Sequence, residues 1–525
     1  MTFSKKDPID ALFRAWDRPD SPGCALGIYE DGEPLYMRGY GCAQLEHGVP
    51  ITPTTVFHVA SLSKQFTAMA VGLLAQSGRL SLDEDIRRYI PELPEGPLLT
   101  LRHFLHHLSG LRDQWDLLRL AGWRPADLRT TGDILRLVTR QKAQNFAPGT
   151  RFQYINTGYT LLGIAIERVT GVSLREYTEE HLFKPLGMLH TAFQDDHQRI
   201  LPGRAQAYSM RPRGGWKINV PPYETVGPTG LFSTVEDFLL WERNFLRPIV
   251  GDAAFIQLAM APGAFNDGRP VSYGFGLMLG EYRGLPIAEH SGGDAGYRAH
   301  YLRFPEQRLA VAVFANALEI HPTVLARQVA DVLLEGRFQS APEAAADNGP
   351  SGHELSSRVG LYRDQWSGIT SKVELWEGRL FLVPSTGGVY ELLPAGPERF
   401  RFLNVDAECQ FTSAGQMLVK YGAQPTGLCE RVALEACGTK ALVGDYAGTY
   451  QSDELGVRWV LDVSGEALVL KRERFPDARI EFTADDEGTT ALGDFHLRFT
   501  RDGGGRVNGL SLCAERVWNV SFARL

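Results

Sequence analysis

Apolar residues in the first 335 positions follow two periods, and each period predicts its own kind of element. The strongest helical pattern covers residues 65–76, where apolar residues recur every three or four positions and Gly78 marks the end. Helical spacing also predicts the helices 101–108, 131–139, 159–170, 234–245 and 322–334. Alternation and apolar runs predict the strands 24–29, 34–41 and 309–316. This mixture predicts an α+β unit without the regular repeat of a doubly wound sheet.

The pattern changes after residue 334. Residues 340–352 are rich in Ala, Pro, Gly and Ser and lack an apolar period, which is typical of a linker. Short alternating strands then replace the helices, and Gly360-Leu361-Tyr362 and Gly448-Thr449-Tyr450 begin two similar blocks. Each block is long enough for a small antiparallel barrel. We therefore predict domains at 1–338, 353–437 and 440–525, with one larger β domain in place of the last two as the alternative.

Composition and charge narrow the class of protein. With 44% hydrophobic and 22% charged residues, the 525-residue chain has a globular composition, and its net charge is −8. This net negative charge argues against nucleic-acid binding, because binding to a phosphate backbone requires clustered Lys and Arg. The sequence shows neither a signal-peptide core nor a membrane-spanning apolar run, which predicts a cytoplasmic protein without a membrane partner. The six cysteines are widely spread, so we expect reduced thiols and no metal site.

The first pattern with chemical meaning is Ser61-Leu62-Ser63-Lys64, at the start of the predicted helix 65–76. A serine and a lysine three residues apart share one face of a helix. The positive end of the helix dipole helps such a lysine to lose its proton and to activate the serine hydroxyl. Alone, however, the spacing is weak, because a capping serine followed by a surface lysine explains it as well.

Two later patterns offer complementary groups. The hydroxyl of Tyr154 can relay a proton, and the amide of Asn156 can hold both a substrate carbonyl and a lysine. His290-Ser291-Gly292-Gly293 follows strand-like residues, and its small side chains would let a substrate lie beside the backbone and receive an N–H bond. Each pattern by itself has an ordinary structural explanation, so their order along the chain is what favours a shared site.

Other signatures of enzyme chemistry are absent from the sequence. It contains no G-x-S-x-G elbow, no HExxH, no P-loop and no dinucleotide fingerprint. One histidine cluster has no carboxylate at ligand spacing and is interpreted as helix-face or core residues: His103, His106 and His107.

The S-x-x-K, Tyr-x-Asn and His-x-Gly elements, in this order, resemble those of the penicillin-recognising serine hydrolases. That superfamily includes class C β-lactamases, D-Ala-D-Ala peptidases and lactamase-fold esterases. The resemblance extends over about residues 10–335 and implies a β-lactamase/D,D-peptidase-like catalytic domain. In such relatives the third motif is often Lys-Thr-Gly, and a histidine in place of the lysine marks certain branches.

Three further segments resemble bacterial D-stereospecific aminopeptidases and extend the resemblance to the whole chain: 109–115 (SGLRDQW), 273–277 (YGFGL) and 448–455 (GTYQSDEL). These enzymes have a lactamase-like domain followed by two antiparallel β-barrels. The implied fold class is therefore α+β, with a catalytic domain followed by two small antiparallel β-barrel domains, in agreement with the composition break.

Carried over position by position, the resemblance implies that Ser61 is the nucleophile and Lys64 its base partner. Tyr154 would pass a proton to the leaving amine, and Asn156 would orient Lys64 and the substrate. Which group takes the proton during acylation is disputed among relatives of this kind. The role is therefore assigned to Lys64 and Tyr154 jointly.

The third motif supplies the remaining groups that the resemblance implies. His290 would occupy the site of the usual lysine, and Gly292 and Gly293 would lie along the substrate. The backbone N–H groups of Ser61 and Gly293 would form the oxyanion hole. Neither a metal nor an organic cofactor is implied.

One departure from the family concerns the amino group of the substrate. In D-aminopeptidases the last barrel sends a long loop into the active site, where it helps to bind this group. The comparable stretch here, 490–495, is short. A different acid, such as Asp113 or Asp294, would then bind the amine, or the enzyme requires none.

Patterns and resemblance together predict a serine hydrolase that works through an acyl-enzyme. The expected substrate is a short peptide or amide with an N-terminal D-residue such as D-Ala. A carboxylesterase or a β-lactamase-like hydrolase of the same fold is the alternative. A non-catalytic sensor of peptidoglycan fragments is the hypothesis from another class. We also expect a homodimer, with the barrels framing one wall of the site.

Overall fold

The structure of the protein is a computed structural model. It describes residues 5–338, 352–385, 389–403, 407–413, 415–421, 426–432, 443–490 and 495–525. The predicted linker 340–352 lies outside the described residues apart from its last position. The exact domain limits therefore stay predictions.

A central antiparallel sheet organises the first part of the chain. The strands of this part are β1 (Cys24–Glu30), β2 (Glu33–Tyr40), β3 (Cys42–Gln44), β4 (Val49–Pro50), β5 (Phe57–His58), β6 (Ala192–Phe193), β7 (Tyr208–Met210), β8 (Trp216–Ile218), β9 (Leu231–Ser233), β10 (Gly263–Ala264), β11 (Pro270–Val271), β12 (Met278–Tyr282), β13 (Leu285–Asp294), β14 (Tyr297–Phe304) and β15 (Leu309–Ala315). Six of them form the sheet, in the order β12-β13-β14-β15-β1-β2. The predicted hairpin is β1–β2, and the predicted buried strand is β15.

Helices surround this sheet. They are α1 (Lys6–Phe13), α2 (Ser63–Gln76), α3 (Leu101–Leu105), α4 (Gln114–Leu120), α5 (Thr131–Val138), α6 (Thr157–Thr170), α7 (Leu174–Thr178), α8 (Lys184–Leu186), α9 (Val235–Leu246), α10 (Ala253–Ala259) and α11 (Pro322–Leu333). All the helices expected from the sequence are present, with ends that differ by a few residues. The predicted helix 101–108 stops early, at Leu105, because His107 takes a left-handed φ of 58°.

Both faces of the sheet are covered, which explains why its central strands are apolar throughout. Along β1, Leu26 and Ile28 belong to the core shared with α1 and α11, whereas Ala25 and Tyr29 belong to the core shared with α2 and α9. This alternation is the two-residue period of a strand. The neighbouring strand β15 is buried at every position. The site described below lies beside the last residues of β13, the strand next to the edge strand β12.

Two closed antiparallel barrels follow, rather than one larger β unit. The first contains β16 (Gly360–Asp364), β17 (Thr370–Trp376), β18 (Arg379–Pro384), β19 (Tyr390–Pro394), β20 (Arg399–Phe402), β21 (Ala407–Phe411), β22 (Gln416–Tyr421) and β23 (Gly427–Val432), after helix α12 (Gly352–Arg358). The second contains β24 (Gly448–Ser452), β25 (Val457–Ser464), β26 (Ala467–Lys471), β27 (Ala478–Ala484), β28 (Glu487–Thr490), β29 (His496–Arg501), β30 (Val507–Ala514) and β31 (Val517–Arg524). The predicted fold class is confirmed.

The weak sequence repeat marks equivalent positions in the two barrels. Tyr362 lies in the first strand of the first barrel, and its hydroxyl donates to the carbonyl oxygen of Arg358 at 2.9 Å. Tyr450 lies in the first strand of the second barrel, and its hydroxyl donates to the carbonyl oxygen of Tyr446 at 2.8 Å. In both barrels a buried tyrosine thus ties the first strand to the residue four positions before it.

Within the described residues, no helix combines the length and apolar character that crossing a membrane requires. The described cysteines are buried free thiols: Cys24, Cys42, Cys409, Cys429 and Cys513.

The second barrel is joined to the helical part by buried polar contacts. Arg112, just before α4, donates from Nη1 to Glu454 Oε1 at 2.8 Å, and both side chains are almost completely buried. Arg112 also donates to the carbonyl oxygens of Trp518 and Asn519, at 3.0 Å each. Because a buried charge is costly without a partner, these contacts fix the segment before α4 against the barrel.

Glu454→Gln removes the negative charge of this pair and keeps the size of the side chain. We expect the free energy of unfolding to fall by about 3 kcal/mol, because Arg112 becomes an uncompensated buried charge. Urea unfolding followed by tryptophan fluorescence measures the change. Asp20→Asn is the control, since Asp20 pairs with Arg18 on the surface with 74% of its side chain exposed and should matter little. Equal stabilities of the two variants would contradict the structural role of the buried pair.

Candidate active site

Ser61 lies in a short turn that joins β5 to α2. A 3₁₀ turn over Ala60–Leu62 runs directly into the helix, so Ser61 stands at the helix N-terminus. Ala60 takes a φ of 49°, a left-handed conformation that is uncommon for a residue with a side chain. The turn places Ser61 Oγ 3.1 Å from Nζ of Lys64. The serine and the lysine of the first motif are therefore in contact.

Lys64 Nζ is fully buried and has three oxygen neighbours. It lies 2.9 Å from Asn156 Oδ1, 2.9 Å from the carbonyl oxygen of Pro228 and 3.1 Å from Ser61 Oγ. The first two oxygens can only accept, so they take two N–H bonds of the amine. The remaining tetrahedral position faces Ser61. A neutral Lys64 would present its lone pair there.

The surroundings of Lys64 favour this neutral form. Burial lowers the pKa of Lys64 well below its usual value, because a charged amine loses its hydration. The carboxylates of Asp113 and Asp294 oppose this shift, and the guanidinium of Arg516 reinforces it. The net direction is downward, as a general base at neutral pH requires.

Tyr154 lies against both groups of the first motif. Its ring centroid is 4.7 Å from Lys64 Nζ, and its hydroxyl is near enough to Ser61 for the serine to affect the pKa of the phenol. The buried imidazole of His107 packs on this ring, with 4.4 Å between the centroids. Burial raises the pKa of Tyr154, although the nearby Ser61 hydroxyl acts in the opposite direction. The group is therefore a neutral phenol that can accept one proton while donating another.

Asn156 connects Lys64 to a buried carboxylate. It is the N-cap residue of α6, and its backbone N–H and side-chain amide donate to Asp113 Oδ2 at 2.7 and 3.1 Å. Asp113 caps α4 by accepting from the N–H of Trp115 at 2.9 Å. The side chain of Asp113 is completely buried, and these contacts within the protein occupy it.

The imidazole of the third motif is buried and uncharged. His290 Nδ1 lies 2.6 Å from the carbonyl oxygen of Ser291, so this nitrogen carries the hydrogen. Nε2 then accepts from the hydroxyl of Tyr273 at 3.0 Å. Burial lowers the pKa of His290 to about 3. A lysine at this position would bring a positive charge to the site, and His290 does not.

The glycines of the third motif allow β13 to approach the turn that carries Ser61. A Cβ added at Gly292 would overlap the carbonyl oxygen of Val59. Strand β12 pairs with β13 only as far as Glu289, so the following residues, up to Asp294, pair with β14 alone. This stretch of β13 has a free edge on which an extended substrate can form backbone hydrogen bonds.

A cavity of about 270 Å³ opens at this free edge. Its lining contains three of the predicted catalytic side chains together with residues from several other elements: Ser61, Trp115, Arg129, Tyr154, Asn156, Thr229, Gly293, Asp294 and Arg516. Lys64, His290 and Asp113 are buried and do not line it, and Gly292 lines a neighbouring cavity of about 780 Å³ that shares Gly293 with it. The structure thus brings all the predicted site residues into one region, with only some of them facing the cavity.

Asp294 is the one carboxylate among the described residues that line this cavity. The hydroxyl of Tyr223 donates to its Oδ2 and lies 3.0 Å from His58 Nε2. Burial lowers the pKa of His58 to about 4, so this buried ring is uncharged. Beside them, the guanidinium of Arg129 stacks over Trp115, 5.3 Å from the ring centroid. The cavity therefore presents one anion close to cations.

Sequence reasoning missed the contribution of the second barrel. Arg516 lies in the turn between β30 and β31 and reaches the cavity. The sequence prediction concerned a different stretch of this barrel, 490–495, of which residues 491–494 lie outside the described residues. Phe495 is described and stacks under Arg119, at 4.9 Å. No local sequence pattern distinguishes Arg516 from an ordinary arginine in a hairpin turn, so the sequence could not predict its place at the cavity.

The histidine cluster has structural roles, as the sequence interpretation expected. His103 closes a capping box at the start of α3 by accepting from Thr100 N at 3.2 Å. His106 is buried, and its Nδ1 lies 2.7 Å from the carbonyl oxygen of Tyr273. His107 supports the ring of Tyr154, a role that the spacing of the histidines does not reveal.

The fold and this site define a family. The family model described as Beta-lactamase matches residues 9–334, and the chain therefore belongs to the β-lactamase family. The family predicted from the three motifs is confirmed, and the protein is a hydrolase of this family.

Within the family, D-aminopeptidases match over nearly the whole chain. The D-aminopeptidase of Gluconobacter oxydans (strain 621H) is 27% identical over 506 residues, which cover 96% of this chain and 88% of that protein. The D-aminopeptidase of Cereibacter sphaeroides (strain KD131 / KCTC 12085) is 28% identical over 98% of this chain and 99% of its own length. Penicillin-binding protein 4* of Bacillus subtilis (strain 168) is also 28% identical, over 78% of this chain and 95% of that protein.

Solved structures share the same fold. The octameric penicillin-binding protein homologue from Pyrococcus abyssi superposes with a TM-score of 0.58 at 24% identity, over 82% of this chain and 100% of that one. The D-amino acid amidase from Ochrobactrum anthropi SV3, complexed with L-phenylalanine amide, gives a TM-score of 0.52 at 25% identity, over 62% of this chain and 97% of that one.

Gly292→Ala tests the close approach of β13 to the turn of Ser61. The added methyl group must push the strand away from Val59, and we expect hydrolysis of an activated ester to fall at least about a hundredfold. Gly280→Ala on β12 is the control, because a Cβ there meets no atom within 4 Å. Circular dichroism checks that both variants fold. Full activity of Gly292→Ala would contradict the tight contact.

Proposed function

We propose that the protein is a serine hydrolase that forms an acyl-enzyme on Ser61. The observation that carries the proposal is the contact of Lys64 Nζ with Ser61 Oγ, in which Asn156 and Pro228 hold the other amine hydrogens. A neutral lysine in this position accepts the proton of the serine hydroxyl. Membership of a hydrolase family supports the same chemistry.

In the proposed reaction, Ser61 Oγ bonds to the substrate carbonyl carbon while its proton passes to Lys64, directly or through Tyr154. The backbone N–H groups of Ser61 and Gly293 stabilise the oxyanion. The C–N bond then breaks, and Tyr154 delivers a proton to the leaving amine, which Lys64 replaces with the proton taken from Ser61. Water attacks the acyl-enzyme ester and gives up a proton to the same groups. The ester C–O bond breaks, the acid leaves, and this proton returns to Ser61 Oγ.

The proposed substrates are short peptides and amides with a free N-terminal D-residue such as D-Ala. Similarity to D-aminopeptidases over nearly the whole chain supports this class. A cavity of about 270 Å³ suits a small residue. We assign the ammonium group of the substrate to Asp294, because Asp113 is engaged by Asn156, whereas Asp294 lines the cavity.

Two guanidinium groups in the cavity favour a second candidate. Arg129 and Arg516 both line it, and a carboxylate near the scissile bond would pair with them. The second candidate is therefore a β-lactamase-like hydrolase or carboxylesterase that acts on anionic substrates. The homodimer and the cytoplasmic location stay predictions from the sequence.

Mass spectrometry of the intact protein tests the nucleophile. After incubation with a slowly released p-nitrophenyl ester, we expect one added acyl group on the wild type and none on Ser61→Ala. Lys64→Met should acylate about 10²- to 10⁴-fold more slowly, because the general base is lost. An adduct that persists in Ser61→Ala would overturn the proposal.

A substrate panel separates the candidates. D-Ala p-nitroanilide, its L-isomer, N-acetyl-D-Ala p-nitroanilide and a β-lactam are compared by kcat/KM. We expect the free D-compound to be preferred, and Asp294→Asn to lower its kcat/KM about tenfold or more without affecting the acetylated compound.

Asp267→Asn, a surface variant away from the cavity, is the matched control for Asp294→Asn. Preference for the acetylated compound or the β-lactam would favour the second candidate. A wild type that is inert to the whole panel and to p-nitrophenyl esters would favour the sensor.

A further inference from the structure

The turn of the last hairpin is bound to the segment that starts α4. The carbonyl oxygen of Arg516 accepts from the N–H of Asp113 at 3.1 Å, and the N–H of Arg516 donates to Asp116 Oδ2 at 3.0 Å. The Arg516 side chain pairs with Asp113 Oδ2 through Nη1 at 3.4 Å. Backbone and side chain of one barrel residue thus hold the same carboxylate-bearing segment.

From Asp113 the contacts continue to the reacting groups. Oδ2 of Asp113, the atom that pairs with Arg516, also accepts both N–H bonds of Asn156. Asn156 Oδ1 in turn accepts from Lys64 Nζ at 2.9 Å, and Nζ lies 3.1 Å from Ser61 Oγ. An unbroken chain of polar contacts therefore leads from the second barrel to the serine.

We propose that Arg516 is a positioning residue of the active site, which acts through Asp113 and Asn156 to hold Lys64 against Ser61 and to balance the charge of Asp113. This inference rests on the proposed function, in which Lys64 accepts the serine proton. The second barrel then contributes to catalysis through Arg516, in addition to forming one wall of the active site.

Docking of the barrel does not by itself require this arginine. The buried pair of Arg112 and Glu454 already joins the two parts, as do the bonds from Arg112 to the last hairpin. Arg516 instead faces the cavity, and its Nε has no hydrogen-bond partner among the described residues. Its charge is therefore placed where it acts on the site.

The groups around Lys64 determine how the charge of Arg516 affects the pKa of Lys64. The imidazoles of His107 and His290 are uncharged because burial lowers the pKa of both. Burial also keeps the phenols Tyr154 and Tyr159 neutral by raising the pKa of each.

The charged groups that remain beside Lys64 are the carboxylates of Asp113 and Asp294 and the guanidinium of Arg516. Around Arg516 itself, burial raises the pKa of the carboxyl groups of Asp116 and Glu515. Burial is the main reason that the pKa of Lys64 is low, and Arg516 is the cation that reinforces this shift and partly offsets Asp113.

The pH dependence of Ser61 acylation tests the proposal, because acylation requires neutral Lys64 and rises with pH through its pKa. Arg516→Gln removes a cation and exposes the charge of Asp113, so the pKa of Lys64 rises. We expect the midpoint of the rise to move up by about one pH unit, which is about a tenfold loss of rate below it. Arg516→Lys should restore part of the shift.

Asp113→Asn should shift the midpoint of the acylation pH profile in the opposite direction. It removes an anion beside Lys64 and keeps an oxygen for Asn156, so the midpoint should move to lower pH. A merely structural disturbance would lower the rate of both variants without moving their midpoints in opposite directions. Arg474→Gln is the matched control, since Arg474 pairs with Asp127 across the same two parts but away from the cavity.

Profiles of Arg516→Gln that superpose on the wild type, or that fall equally at every pH, would overturn the inference. Crystal structures of the wild type and of Arg516→Gln distinguish a failure of the inference about Arg516 from a failure of the proposed function. If the wild type is not acylated at Ser61, the proposed function fails. The inference then stands if the Lys64–Ser61 contact lengthens in the variant, and it falls if the contact is unchanged.

Discussion

The proposed chemistry depends on one amine that is held away from water among three oxygens. Ser61, Asn156 and Pro228 contribute these oxygens, and they come from three segments distant in sequence. Burial removes the hydration that stabilises an ammonium ion, so the position of Lys64 lowers its pKa and favours its neutral form. A base of this kind works only while all three segments keep their places, which makes the rest of the fold a support for one contact.

Glycines permit the close packing around this contact. At Gly276, with a φ of 74°, a Cβ would overlap the backbone nitrogen of Gln65, next to Lys64. Gly292 meets the backbone of Val59 in the same way on the other side of the turn. Backbone against backbone leaves no room for adjustment, so the turn of Ser61 is fixed between β13 and the segment 273–277.

The charge of the site is distributed differently from the usual third motif of the superfamily. His290 is neutral, since its Nδ1 hydrogen is used by Ser291 and burial opposes protonation. Positive charge reaches the cavity from Arg129 and from Arg516 of the second barrel. The C-terminal barrel thereby contributes to the electrostatics of a site whose proposed nucleophile, Ser61, lies more than four hundred residues earlier in the chain.

The sequence by itself determined the elements and the reacting groups that depend on local order. Periods and spacings of a few residues are enough to predict the helix 65–76, the two β blocks and the pairing of Ser61 with Lys64. Only the tertiary structure decided the partners of these groups: Asp113 under Asn156, His107 against Tyr154, and Arg516 at the cavity. The physical reason is that burial, charge and contact arise between segments far apart in sequence, where no local pattern records which residues will meet.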